Sequence, residues 1–206
     1  MLKNLCLLIK QNQSSIISYN KKDLIVAEKK KLSESFIDRM TLSSDRIKSM
    51  INCIRHIIKL PDPLYKKTKS TKLENGIYLS QMRVPLGTIA IVYESRPNVT
   101  IDAACLCLKS GNSVILKGGS DTLNTNQYLV KLIEIALKKA NMSSDLVQLV
   151  RTTNRQALKY LLKKTDHIDV VIPRGGKSLI EMIMQESKIP MIKHLDGNCH
   201  VFIDRD

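Results

Sequence analysis

The chain is organised by an alternation of short apolar runs and amphipathic segments that begins at residue 88. Thr88–Tyr93 is almost continuously apolar, which is typical of a strand buried on both faces. Ser113–Lys117 predicts another such strand, while 99–108 and Lys177–Glu186 carry helical periodicity. Short strands that alternate with helices predict a mostly parallel sheet covered by helices, because parallel neighbours need crossover connections. We therefore expect an α/β fold with a doubly wound, Rossmann-like sheet of the nucleotide-binding type.

The rest of the chain extends this pattern and adds helices before it. Further strands are predicted at 77–84, 146–150, 169–172, 189–192 and 200–204, and further helices at 122–139 and 155–163. Residues 2–59 predict helices, one of which has Ser43, Ser44 and Asp45 as candidate N-caps and ends before Pro61. The expected organisation is an N-terminal helical region, 1–60, packed on a Rossmann-like domain, 61–206.

The net charge of +14 raises nucleic-acid binding as an alternative function. However, 17 of the 33 basic residues and only 7 of the 19 acidic residues lie in the first 83 positions. The chain has 24 Lys and 9 Arg, whereas Arg is expected to lead where base edges are read. Stacking aromatic residues are scarce as well. We therefore favour a solvated, Lys-rich surface over a nucleic-acid site, and keep steering of an anionic small substrate open.

The five cysteines do not suggest a disulfide framework, because their number is odd and their spacing irregular. Cys105 and Cys107 lie in an apolar helical stretch, where such a pair usually belongs to the core. His194, Cys199 and His200 resemble part of a metal site but have no second cluster to complete it. We expect no metal, reduced thiols and a cytoplasmic protein. No apolar run approaches the ~20 residues that a membrane span needs, so we expect no membrane partner.

Three loops that follow predicted strands carry the chemistry, since ligands bind beyond the carboxyl ends of parallel strands. The first loop is Glu94-Ser95-Arg96-Pro97-Asn98. The Arg96 guanidinium can hold a carboxylate or phosphate through two parallel hydrogen bonds. Asn98 or Thr100 is the expected cap of the following helix. The alternative is an ordinary strand–helix loop with a surface Glu–Arg pair.

The other two loops combine glycines with cations. They are Lys117-Gly118-Gly119-Ser120 and Pro173-Arg174-Gly175-Gly176-Lys177. Glycines let the backbone approach a ligand, and amides at a helix start suit phosphate. Each loop alone could be only a turn, but two such loops in one sheet could address one dinucleotide. Neither the GxGxxG nor the GxxxxGK[ST] fingerprint is present, which argues against an ordinary Rossmann dehydrogenase and a P-loop NTPase.

Long blocks of the sequence resemble the gamma-glutamyl phosphate reductases, a family of the aldehyde dehydrogenase superfamily. The blocks are VPLGTIAIVYESRPNVTIDAACLCLKSGNSVILKGGSD, LPDP, IDVVIPRGGKSLI and IPMIKHLDGNCHVFID. The resemblance implies the aldehyde dehydrogenase type of Rossmann-like sheet. It also implies NADPH-dependent reduction of L-glutamate 5-phosphate to L-glutamate 5-semialdehyde in proline biosynthesis. The resemblance further implies a functional link to glutamate 5-kinase. It also implies homo-oligomerisation, with 77–84 as the segment that pairs subunits.

The resemblance also assigns roles to the loops. Lys117, Gly118, Gly119 and Ser120 match the adenosine-ribose site, and Ser120 stands where NAD-preferring relatives often have a Glu, which suits NADP. Pro173, Arg174, Gly175 and Gly176 match the loop that faces the pyrophosphate. The substrate-side candidates are Arg96, Asn98 and His194, with Asn98 as an oxyanion donor.

Two departures from the superfamily pattern bear on catalysis. The stretch from His194 to Gly197 lacks the Glu with which hydrolytic members activate water, which agrees with a reductase that must keep its thioester. None of the five cysteines stands in the family's nucleophile motif, so we expect no catalytic nucleophile in this chain. The expected function is that of the cofactor-binding part of the reductase. The alternative is a catalytically dead remnant or an interaction module.

Overall fold

The computed structural model of the 206-residue chain describes residues 1–67, 69–193 and 204. The chain begins with four helices, α1 (Leu2–Gln11), α2 (Gln13–Lys29), α3 (Glu34–Met40) and α4 (Ser44–Lys59). The predicted cap of the last of these helices is confirmed at Ser43, whose side chain accepts a hydrogen bond from the Arg46 amide at 3.2 Å. The apolar stripe of α4 is buried, with Ile47 and Ile54 fully enclosed. The candidate N-caps in the sequence therefore identified the start of α4.

Four parallel strands form the sheet, namely β3 (Thr88–Tyr93), β4 (Ser113–Lys117), β5 (Val147–Leu149) and β6 (Val170–Arg174). A separate antiparallel pair, β1 (Thr71–Lys72) and β2 (Tyr78–Leu79), precedes them. The order across the parallel sheet is β5-β4-β3-β6, so β3 is central and β6 returns to its far side. This order reverses direction at β3, as expected for a doubly wound sheet. The predicted fold class is confirmed.

Both faces of the sheet are covered, as the unbroken apolar character of β3 predicted. Four helices follow the strands, α5 (Asn98–Lys109), α6 (Leu123–Lys138), α7 (Arg155–Leu161) and α8 (Lys177–Glu186). On one face Ile89 and Ile91 join the core formed with α1, α2, α4, α5 and α6. On the other face Ala90 and Val92 pack with residues of α7 and α8. Alternate residues of one strand therefore serve two cores.

Two predicted strands are wrong in extent. In the segment 77–84, only Tyr78–Leu79 forms a strand, paired with Thr71–Lys72 rather than with the main sheet. In the segment 189–192, a single bridge joins Met191 to Val171. A strand needs a partner along its length, and apolar character alone does not supply one. The predicted strand at 200–204 lies outside the described residues, apart from Asp204, which is in no strand.

Within the described part of the chain, no helix is both long and apolar enough to cross a membrane.

Candidate functional site

The three loops singled out in the sequence lie at one edge of the sheet. Val92 of β3 is paired with Lys117 of β4, and Tyr93 is paired with Arg174 of β6. The loops that follow these strands therefore begin side by side, at the carboxyl ends where open parallel sheets bind ligands. The strand register thus brings the loops that contain Arg96, Lys117 and Arg174 to one edge of the sheet.

Lys117 closes β4 in a largely enclosed position, with 9% of its surface exposed. Its ammonium donates a hydrogen bond to the Gly118 carbonyl at 3.0 Å. Burial lowers the pKa of Lys117, because the charged form has lost hydration. No carboxylate lies within ion-pair distance of Lys117 in the described residues. A ligand that brought negative charge to this ammonium would therefore relieve part of its desolvation.

The two glycines after Lys117 differ in what surrounds them. A Cβ on Gly118 would lie 2.3 Å from the Asn126 amide nitrogen and 3.1 Å from the Tyr93 ring. A Cβ on Gly119 would meet nothing closer than 3.5 Å, the distance to the Ser95 amide nitrogen. Gly118 is therefore required by packing inside the protein. Of the two glycines, Gly119 is the one whose surroundings leave room.

A buried polar network lies directly beneath this loop. The Tyr93 hydroxyl and the Thr100 hydroxyl are 2.7 Å apart. Thr100 donates to the Asn126 side-chain oxygen at 2.9 Å, and the Asn126 amide donates to the Thr122 hydroxyl at 3.0 Å. The network joins the end of β3 to the first turns of α5 and α6. It fixes the position from which the loop after β4 departs.

Glu94 covers the glycines of the third loop, a role that the sequence did not reveal. Its carboxylate accepts a hydrogen bond from the Gly176 amide at 3.0 Å. A Cβ on Gly175 would lie 2.7 Å from the Glu94 carboxyl carbon. No ion pair joins Glu94 to Arg96 among the described residues, so the alternative of a surface Glu–Arg pair is not what forms. The negative charge instead lies at the N-terminus of α8, a favourable position for an anion.

Asn98 and Thr100 do not cap α5 as expected. Pro97 takes the cap position, and Asn98 is the first residue of the helix. The Asn98 amide donates to the Asp102 carboxylate at 3.0 Å, one turn further along. Burial raises the pKa of Asp102, and hydrogen bonds from Asn98 and Cys53 oppose that shift. The capping prediction is wrong because the fixed φ of Pro97 suits the start of a helix and leaves Asn98 inside it.

The cysteines that the structure describes are not activated. Burial raises the pKa of the Cys107 thiol to about 11 and raises the pKa of Cys6, Cys53 and Cys105 as well. A nucleophilic or metal-binding cysteine needs the opposite shift. Among the described residues, no group of three His, Cys, Asp or Glu side chains is placed to hold a metal ion. His194, Cys199 and His200 lie outside the described residues.

Cavities open beside the loops, and two of them are also lined by residues of α3. The first, of about 360 Å³, is lined by Glu94, Arg174, Gly175 and Gly176. The second, of about 410 Å³, is lined by residues of α3 and α4 and by Asn98 and Asp102 of α5. Arg39 and Arg96 line both cavities. Arg39 belongs to α3, and no sequence signal pointed to it, because only the packing of α3 brings it to this edge.

Comparison with known proteins agrees with this architecture. A family model described as "Aldehyde dehydrogenase family" matches residues 10–206. A gamma-glutamyl phosphate reductase of Ruthia magnifica is 45% identical over 203 residues, covering 98% of this chain and 48% of that protein. The solved gamma-glutamyl phosphate reductase of Thermotoga maritima superposes with a TM-score of 0.91 at 35% identity, covering 99% of this chain and 49% of that one. The solved gamma-glutamyl phosphate reductase of Saccharomyces cerevisiae superposes with a TM-score of 0.86 at 32% identity, covering 95% of this chain and 50% of that one.

The chain thus spans about half the length of the curated relatives it matches. The family match itself extends over nearly all of this chain, including the three loops at the sheet edge. The chain belongs to the aldehyde dehydrogenase family.

Proposed function

We propose that the chain is the cofactor-binding part of an NADPH-dependent reductase that converts L-glutamate 5-phosphate to L-glutamate 5-semialdehyde and phosphate. The convergence of three cation-bearing loops at the carboxyl ends of β3, β4 and β6 carries this proposal. The relatives that match at 45% and 35% identity are named gamma-glutamyl phosphate reductase. A supply of the substrate by glutamate 5-kinase belongs to the same proposal.

The proposed cofactor is NADPH, held at two loops. Lys117 and Ser120 would face the adenosine ribose and its 2′-phosphate, since an enclosed ammonium without a carboxylate partner among the described residues suits a phosphate. Arg174, Gly175 and Gly176 would face the pyrophosphate. Glu94 now accepts the hydrogen bond of the Gly176 amide, so the pyrophosphate fits once that side chain has moved aside. When bound, NADPH supplies the hydride for the reduction.

On the substrate side, the chain would bind and orient rather than attack. Arg96 and Asn98 are proposed to hold anionic or developing oxyanion groups, and His194 is proposed as a further contact. Asn98 donates to Asp102, which fixes its amide plane. Burial raises the pKa of the four described cysteines, which supports the proposal that none of them is the nucleophile of a thioester.

Cofactor titration during thermal unfolding tests the proposal. NADPH should raise the midpoint of unfolding of the full chain, because a ligand bound only to the native state stabilises it. NADH, which lacks the 2′-phosphate, should raise it less. Lys117→Met should weaken NADPH binding by about 10- to 150-fold, since a charge-assisted hydrogen bond contributes roughly 1.5–3 kcal/mol. The variant should leave the weaker NADH binding nearly unchanged. No shift at millimolar NADPH would contradict the proposal and favour a remnant without cofactor binding.

Subunit pairing is proposed for the segment 77–84. The large apolar side chains there are exposed, among them Ile77, Tyr78, Leu79, Met82 and Val84. A contiguous exposed apolar surface is characteristic of an interaction site. Light scattering on the wild type and on Tyr78→Lys tests this proposal by measuring the molar mass of the assembly. We expect a smaller molar mass for the variant.

A further inference from the structure

Arg39 and Arg96 stand at the boundary between the two cavities of the candidate site. Arg96 comes from the loop after β3, whereas Arg39 comes from α3, 57 positions earlier in the chain. Both line the cavity beside Gly175 and Gly176, and both line the second cavity, which extends toward Asp102. The second cavity is therefore adjacent to the loop proposed for the pyrophosphate.

The positive charges of Arg39 and Arg96 are not neutralised by a carboxylate in the part of the chain that the structure describes. In the described residues, neither guanidinium has a carboxylate within 4.0 Å. The Arg39 Nε donates to the Ser35 carbonyl at 3.0 Å, and its guanidinium lies over the Phe36 ring at 5.7 Å from the centroid. These contacts orient the guanidinium and leave its two terminal nitrogens for another acceptor.

Arg46, which also lines the second cavity, shows the contrast. Its guanidinium donates to both carboxylate oxygens of Asp38, at 2.8 and 2.9 Å, and to the Thr41 carbonyl at 2.9 Å. Those bonds join α3 to α4 and occupy its donors. Of the three arginines that line this cavity in the part of the chain that the structure describes, Arg39 and Arg96 are the pair without a carboxylate partner.

Asp102 provides the opposite charge in the second cavity. It is half-buried on α5, and its hydrogen bonds come from the Asn98 amide and the Cys53 thiol, both of which are neutral. No cation lies within ion-pair distance of Asp102 among the described residues. A ligand ammonium would compensate a carboxylate that burial has partly desolvated.

We propose that the second cavity binds a zwitterionic amino acid that carries a further anionic group, with Arg39 and Arg96 holding an oxyanion and Asp102 receiving the α-ammonium. Its volume of about 410 Å³ lies within the range of small-molecule sites. This inference rests on the proposed function and adds Arg39 and Asp102 to it as substrate-binding residues. The oxyanion is either the α-carboxylate or the phosphoryl group of the same substrate, and both are ligands of the same chemistry.

Calorimetric titration of the full chain tests the assignment. The probe is a phosphonate analogue of glutamate 5-phosphate in which one methylene group replaces the oxygen that bridges the acyl carbon and the phosphorus. Arg39→Gln and Asp102→Asn should each weaken its binding tenfold or more, whereas Arg55→Gln, on the exposed side of α4, should change it less than twofold. N-acetylation of the analogue removes its positive charge and should abolish the effect of Asp102→Asn. If Arg39→Gln weakens the binding of inorganic phosphate, the arginines hold the phosphoryl group of the substrate. If it weakens only the binding of L-glutamate, the arginines hold the α-carboxylate.

The controls separate this inference from the proposed function. NADPH titrations on the same samples should be unaffected by Asp102→Asn, because Asp102 lines the second cavity rather than the one beside Gly175 and Gly176. Circular dichroism should show that each variant is folded. Arg39→Lys retains the charge without the planar fork, and intermediate affinity is expected. Unchanged affinity of Arg39→Gln for the analogue, or equal weakening by Arg55→Gln, would overturn the inference even if NADPH binds. Failure of NADPH to bind while the analogue responds as described would overturn the proposed function alone.

Discussion

Replacement of the two glycines that follow Lys117 should affect stability very differently, although the residues are adjacent. In Gly118→Ala, the new methyl group would lie 2.3 Å from the Asn126 amide nitrogen, well inside normal contact distance. Asn126 is 1% exposed and is held by hydrogen bonds to Thr100 and Thr122, so it cannot rotate away without losing them. Overpacking costs roughly 1–3 kcal/mol, and each lost hydrogen bond adds about 1 kcal/mol. We expect the free energy of unfolding to fall by about 3 kcal/mol.

Gly119→Ala is the matched control. Its nearest neighbour would be 3.5 Å away, and the backbone at Gly119, with φ −61° and ψ 154°, suits alanine. Both substitutions restrict the unfolded chain by the same amount, about 0.4–1 kcal/mol, so that effect cancels in the comparison. Urea unfolding followed by circular dichroism should place Gly119→Ala at or slightly above the wild type. Equal stability of the two variants would show that Gly118 is not confined by Asn126 and Tyr93.

The remaining predictions concern charged groups around the same loops. Glu94→Gln keeps an acceptor for the Gly176 amide but removes a negative charge near the proposed pyrophosphate, so NADPH should bind about fivefold more tightly, from ~1 kcal/mol of repulsion at 4 Å in water. Fluorescence titration measures the NADPH affinity, with Glu181→Gln at an exposed position as the control. Weaker NADPH binding by Glu94→Gln would contradict the idea that the Glu94 carboxylate repels the pyrophosphate. Because burial lowers the pKa of Lys117, its charge opposes folding at neutral pH and this cost is relieved as the pH rises toward the ordinary lysine value. Lys117→Met should therefore be at least as stable as the wild type at neutral pH and lack that alkaline rise. Asp23→Ala should lower the free energy of unfolding by about 2–4 kcal/mol, since it leaves buried donors of α6 without an acceptor. The exposed Asp166→Ala should change it by less than about 0.5 kcal/mol.

The parts of the fold that followed from the sequence are those determined by local patterns. Ser113–Lys117 and Lys177–Glu186 were predicted with the bounds that the structure has, because an apolar run and a helical period report directly on burial. The segment 77–84 was overextended, because its apolar residues are exposed rather than paired. Burial cannot be inferred from composition where the covering surface comes from elsewhere.

The candidate site was predicted in its loops but not in its side-chain contacts. Arg96, Lys117 and Arg174 each follow a strand, so the rule that parallel strands share one carboxyl edge was sufficient to bring them together. The contact between Glu94 and Gly176 joins residues 82 positions apart, and that of Arg39 with the second cavity depends on how α3 packs. Such contacts are set by tertiary packing and leave no periodic signal in the chain.

The N-terminal helices are structurally connected to the edge of the sheet where we propose that the cofactor binds. Asp23 of α2 accepts hydrogen bonds from the Thr125 amide and hydroxyl, at 2.8 and 2.5 Å, at the start of the helix that follows the Lys117 loop. Asn20, also in α2, donates to the Thr125 hydroxyl at 3.3 Å. It also donates to the Met40 carbonyl, at the end of α3, at 2.9 Å. One buried pair of polar side chains therefore connects the loop after β4 with the helix that carries Arg39. Because buried donors and acceptors cost free energy when unpaired, the loop after β4 and α3 should lose their order together when this connection is broken.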